Sequence, residues 1–207
     1  MIFFTADPHF GHVNSAGTGI IDYAGRTLNG EPFTCIAQHD RFLIDNWNRA
    51  VRDQKDEVYL LGDLGLTTRE RLLEIRRQLN GRIYFLKGNH DSEIKGDLGR
   101  SFMWVKDYYE LKIKDPEMNE TQRIVLCHYP FESWNAKVHG SWHLHGHCHG
   151  MLPSADNLAR LDVGVDVHDF APVSYERVKA IMTRKIIKPD VIAAARLASH
   201  KPTKLTV

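Results

Sequence analysis

The sequence predicts an α/β fold with helical layers around a central sheet, on three observations. Short apolar runs rich in Ile, Val, Phe and Tyr recur along the chain and end in polar residues. Amphipathic stretches of helical spacing lie between them. The 207 residues fit one domain, 1–207, with no internal repeat and no linker to divide it. Strands that alternate with helices in this way build layers about a sheet.

Taken in order, "MIFFTADPH" reads as the first strand. Gly11 to Phe33 is long, Gly-rich and polar, so it reads as a surface loop. From Thr34 to Val51 the apolar residues Ile36, Leu43, Ile44, Trp47 and Val51 share one helical face. "EVYLLGD" is the next buried strand. "TTRERLLEIRRQL" opens with Thr67 and Glu70 at capping-box spacing and buries Leu72, Leu73, Ile75 and Leu79. Asn80-Gly81 ends that helix as a left-handed cap would. "RIYFLKGNHD" is a strand; Glu93 to Gln122 then runs irregularly before a strand at Tyr108 to Lys114 and a turn at Asp115 to Thr121. "RIVLCHYP", "SWHLHGHCHG" and "RLDVGVDVHD" are the remaining strand candidates. A helix begins near Ser174, and a short helix after Pro189, "DVIAAARLAS", precedes a frayed end.

Hydrophobic residues make up 43% and charged residues 26%, the profile of an ordinary globular chain. A net charge of +1 gives no global field toward nucleic acid or an acidic membrane, although a local groove can still be basic. Cys35, Cys127 and Cys148 form no CxxC pair, which argues for a reducing compartment. No apolar run reaches the ~18–20 residues of a membrane span, and the start lacks a basic n-region. The expectation is a cytoplasmic protein without a membrane partner.

"HLHGHCHG" places His143, His145, His147 and His149 at every second position. An extended chain would direct them to one face, and neutral imidazoles gathered there suit a metal ion. Taken alone, the tract fits a solvated loop or an adventitious site equally well. The other strand candidates also end in polar groups: Asp7 and His9, then Asp63, then Asn89 and His90, then His128. Each group alone reads as a turn or a packed residue. Together they lie at C-terminal strand ends, where open α/β sheets bind ligands.

The series "DPH…GD…GNHD…H…GHCH" resembles the signature of the calcineurin-like metallophosphoesterases, most closely their small bacterial and phage members. The likeness runs from about Phe3 to His149 with no ligand substituted. It implies a layered α/β/β/α sandwich of mixed sheets, with a dinuclear metal site at the C-terminal strand edge. Asp63 would bridge two divalent ions; Asp7, His9 and His149 would complete one site, and Asn89, His128 and His147 the other. Manganese is the first expectation, with iron, zinc or nickel as alternatives. A metal-bridging hydroxide would attack the phosphorus of a phosphate ester. His90 would protonate the leaving group as general acid, with Asp91 orienting its ring. His12 and Asn89 would contact substrate. Cys148 reads as packing, Trp134 as a loop anchor, and Asn135 and His139 as residues of the loop before the histidines.

The GDxxDRG motif of phosphoprotein phosphatases is absent: the text here is "GDLGLTT". A chain of this length leaves no room for a large cap. Phosphodiesters, cyclic-nucleotide or nucleic-acid-like, are therefore the expected substrates. A phosphomonoesterase (or phosphoprotein phosphatase) and a non-catalytic metal-binding scaffold are the alternatives. The sequence leaves the oligomeric state open.

Overall fold

A computed structural model describes residues 1–115, 120–153 and 158–185. In chain order the strands and helices are β1 (Ile2–Thr5), α1 (Ile20–Tyr23), β2 (Thr27–Leu28), β3 (Glu31–Pro32), α2 (Ile36–Ala50), β4 (Glu57–Leu61), α3 (Arg69–Gln78), β5 (Arg82–Leu86), α4 (Gly96–Arg100), β6 (Val105–Lys106), β7 (Tyr108–Asp115), β8 (Glu120–Cys127), β9 (Trp142–His145), β10 (Arg160–Asp162), β11 (Val173–Ser174) and α5 (Tyr175–Met182). The fold is mixed α/β. One sheet has the order β11-β1-β4-β5-β6 and is parallel except at β11. The second has the order β10-β9-β8-β7 and is parallel except for the β7–β8 pair. β2 and β3 form a small antiparallel ribbon.

The strand period of two sorts the first sheet's residues. Phe3, Val58, Leu60, Ile83 and Phe85 pack with Leu43, Ile44 and Trp47 of α2 and with Leu72 and Ile75 of α3. Their neighbours Phe4, Tyr59, Leu61 and Leu86 join Leu111, Ile124, Leu126, Trp142 and Leu144 of the second sheet. Both faces are dry, which is why these strands read as unbroken apolar runs. Trp134 is buried and its Nε1 donates to the Ser141 carbonyl at 3.1 Å, the anchoring role expected of it.

Four local expectations need correction. Gly11–Phe33 is no mere surface loop. It buries Ile20, Ile21 and the whole Arg26 side chain, and it folds α1 and the β2–β3 ribbon. The α3 cap is Thr68, whose hydroxyl accepts from Arg71 N, so the Thr67 capping box does not form. Leu79 leaves that helix in extended backbone, and the left-handed residue is Gly81, at the entry to β5. The histidine strand ends at His145 and the following one at Asp162, after which Val165–Val167 is a 3-10 turn. The helix expected after Pro189 lies outside the described residues. Among the described residues no helix is long and apolar enough to cross a membrane.

Candidate metal centre

Asp7 and His9 follow β1, Asp63 follows β4, Asn89 and His90 follow β5, His128 follows β8, and His147 and His149 follow β9. Five of these, Asp7, His9, Asp63, His147 and His149, have φ between 48° and 70°, in the left-handed region. Such backbone is uncommon outside glycine and costs of order 1–3 kcal/mol per residue, so its concentration here makes this edge the candidate site. Because His147 and His149 lie in a turn, strand alternation does not aim them. The alternation holds only for His143 and His145, which are buried within β9. His143 is structural: its Nε2 accepts from Phe131 N at 3.0 Å, its Nδ1 lies 3.1 Å from the Val125 carbonyl, and its ring stacks on Phe131. His145 Nδ1 lies 2.9 Å from the Gly146 carbonyl.

The motif glycines have steric reasons. Gly62 has φ +90°, and a Cβ there would lie 2.6 Å from both Gly88 N and His128 Nδ1. At Gly146 a Cβ would stand 2.3 Å from Asp7 Oδ2. Each glycine lets one loop reach the other's ligand.

At the centre, Asp63 Oδ2 lies 3.5 Å from His9 Nε2 and 3.6 Å from His128 Nε2. His9 Nε2 is also 4.0 Å from Asp7 Oδ1. Asn89 Oδ1 is 3.1 Å from His128 Nε2 and 3.0 Å from His147 Nδ1. Ligand atoms of Asp7, His9 and His149 lie within 4.8 Å of one another, as do those of Asp7, Asp63 and His128. The second group crosses the division of ligands that the family resemblance implies, because Asp7 lies near His128 as well as His9.

Burial and then the Asp63 carboxylate hold the Asp7 carboxyl well above the usual range. Burial, then the Arg26 charge, pushes the His9 pKa down, and burial does the same at His128. Both shifts favour the neutral ring. His128 Nδ1 donates to the Leu61 carbonyl at 2.7 Å, so its Nε2 carries a lone pair toward two oxygens. His9 Nε2 is buried with no hydrogen-bond partner among the described residues. Lone pairs facing lone pairs in a dry site are costly unless a cation lies between them. The donor set of carboxylate, amide oxygen and imidazole fits a borderline or hard divalent ion.

The expected substrate-side residues are also close. His12 Nδ1 sits 3.1 Å from His9 Nδ1, and the His90 ring lies 5.5 Å from the His9 ring and 5.9 Å from that of His12. Asp91 does something else than expected. Its carboxylate accepts from Gly88 N at 2.6 Å, Asp63 N at 2.7 Å and Leu64 N at 3.0 Å, so it ties two ligand loops together and does not orient His90. Asn135 donates to Glu110, and His139 is exposed; the structure brings neither to the centre.

With this geometry in view, sequence comparison adds a relative. No family model matches the chain. It is 33% identical over 195 residues to the uncharacterized protein MJ1445 of Methanocaldococcus jannaschii, covering 90% of this chain and 94% of that one. The chain belongs to the MJ1445 family. A protein of unknown function from Aquifex aeolicus, AQ665, has a crystal structure similar to this one. Its TM-score is 0.64 at 22% identity, over 87% of this chain and 98% of that one. At that identity the likeness is one of fold.

Four residues of this MJ1445-family chain join the site without a sequence signal. Asp166 Oδ2 lies 2.7 Å from His149 Nδ1, and Arg26 pairs with both Asp166 oxygens at 2.7 and 2.8 Å. Burial raises the Asp166 pKa, but the His149 and Arg26 hydrogen bonds outweigh it and hold it at about 2. Exposed Tyr23 stands edge-on to His149 at 5.7 Å, and exposed Tyr129 lies 5.0 Å from the rings of both His128 and His147. Asp166 was concealed in a strand-like run, and Arg26 in a segment that reads as a solvated loop.

Proposed function

We propose that the chain is a metal-dependent phosphoesterase of the calcineurin-like type, acting on phosphodiesters. The observation that carries this reading is the convergence of the His9 and His128 Nε2 atoms on the buried Asp63 carboxylate, with His9 Nε2 lacking any hydrogen-bond partner among the described residues. In this reading the two sheets and their helices are the α/β/β/α layers, and the centre sits at their C-terminal edge. Asp7, His9, Asp63, Asn89, His128, His147 and His149 would hold two divalent ions, manganese first. Such ions, when bound, supply Lewis acidity toward phosphoryl oxygens and a water that ionises near neutral pH.

The remaining chemistry falls to the chain's own side chains. His90 Nδ1 or Nε2 delivers the proton to the leaving oxygen, and half-buried His12 beside it contacts the phosphoryl group. Asn89 is exposed at the rim, open to a substrate oxygen. Tyr23 and Tyr129 flank the centre beside different ligand histidines, where each can stack a base or aryl arm of a diester. That pair favours two-armed, nucleotide-like esters over small monoesters.

The test is turnover of bis-p-nitrophenyl phosphate with Mn²⁺ against p-nitrophenyl phosphate. Faster diester hydrolysis is the expected result. Preference for the monoester moves the assignment to a phosphomonoesterase or phosphoprotein phosphatase. Turnover of neither, with metal bound, leaves a metal-binding scaffold. His90→Ala should keep its metal and lose ~10²–10⁴ in rate on poor leaving groups only; equal loss on good leaving groups removes the proton-donor role.

A further inference from the structure

Arg26 occupies a socket built for it. Its side chain is completely buried, and all five of its N–H groups have an acceptor. Nε donates to Asp166 Oδ1 at 2.7 Å. Nη2 donates to Asp166 Oδ2 at 2.8 Å and to the Asp7 carbonyl at 2.7 Å. Nη1 donates to the Pro8 carbonyl at 2.9 Å and to His39 Nε2 at 2.8 Å. Because a guanidinium only donates, His39 must accept at Nε2. Its Nδ1–H then points to Asp40 Oδ1, 3.3 Å away, which also accepts from Gly11 N at 3.1 Å. A buried charge is retained at this cost only when its partners are fixed in place.

Those partners belong to one half of the candidate centre. The two carbonyls lie in the left-handed turn that carries Asp7 and His9. Asp166, clamped on both oxygens, accepts from His149 Nδ1 and so leaves the other ring nitrogen free as a ligand. The other half has different supports: His128 is set by the Leu61 carbonyl, and the Asp63 and Gly88 loops by Asp91.

We propose that Arg26, through Asp166 and the Asp7 and Pro8 carbonyls, is the positioning residue for the Asp7–His9–His149 half of the centre. It governs the affinity of one cation far more than that of the other. The proposal rests on the two-cation part of the functional reading. It gives a structural role in metal binding to a segment, 11–33, that carries none of the proposed metal ligands.

The experiment is Mn²⁺ titration of the full chain by calorimetry, with ion stoichiometry from equilibrium dialysis and folding checked by thermal melting. The variants are Arg26→Gln, Asp166→Ala and Asp166→Asn. The unaltered chain should take two ions. Arg26→Gln and Asp166→Ala should weaken one of them 10–100-fold and leave the other within about twofold. Asp166→Asn, which still offers His149 an oxygen, should recover part of the loss. Should Arg26→Gln fail to fold, the two Asp166 variants decide the matter. Equal weakening of both ions, or a lowered melting temperature with unchanged Mn²⁺ affinities, overturns the positioning role while the metal reading stands. An unaltered chain that binds no Mn²⁺ overturns both.

Discussion

The neutral His143 ring is held between the Phe131 amide and the Val125 carbonyl, and burial pushes its pKa down to about 4. A lowered folded pKa stabilises the protein fully above the unfolded value near 6.5. That stability is lost as pH falls toward 4. The window is worth about 3 kcal/mol at most. His143→Gln should therefore unfold with a shallower loss of stability between pH 6.5 and 4, measured by urea melts across that range. At Asp7 the buried carboxyl beside Asp63 is costly without a cation. Asp7→Asn should raise the melting temperature of chelator-treated protein and abolish the gain on adding Mn²⁺. Residue types were readable at this scale because strand-end Asp, His and Asn are chemically distinctive. Tasks were not: His143 and His147 share a motif, yet one is packing and the other is at the centre. Arg26 offered no pattern, because its acceptors are mostly backbone carbonyls and a distant carboxylate.

At the scale of elements, β1, β4, β5, β8, α2, α3 and α5 were legible from apolar runs and helical faces, since tertiary burial and local period agree there. The β2–β3 ribbon and α1 were not, being two to four residues long and held by Arg26 and buried Ile20 and Ile21. Termini also shifted: Thr67 and Thr68 are equally good caps on paper, and the backbone chose Thr68. Leu60 in β4 is fully buried, so Leu60→Ala should cost ~2–5 kcal/mol by denaturant unfolding with the ligand loops unchanged. Gly62→Ala, one residue past the same strand, should act differently. Its positive φ and the close approach of His128 make the variant lose at least about 2 kcal/mol. It should also lose Mn²⁺ binding, which Leu60→Ala retains.

Across the whole molecule, Asp7, Asp63 and Asn89 come from loops of the five-stranded sheet and His128, His147 and His149 from loops of the four-stranded one. A cation held by both therefore cross-links the two sheets. At a free Mn²⁺ concentration 100 times Kd it should add ~2.7 kcal/mol of stability. That corresponds to roughly 5–10 °C for a chain of this size, read as a melting shift reversed by chelator and absent in Asp63→Asn. The mixed α/β class and the gathering of strand ends were legible from the order of motifs. The braces behind the ligands depend on tertiary contacts that no local pattern encodes, from Asp63 to Asp91, 28 positions apart, to Arg26 with Asp166, 140 apart.

The hydrogen bonds from His147 N to the Asp7 carboxylate span 140 positions of chain. During synthesis on the ribosome, Asp7 and His9 emerge long before the segment that completes their pocket exists. A nascent chain stalled ahead of residue 147 would lack His147 and His149, so on the proposed reading metal could not load fully until that segment had been made.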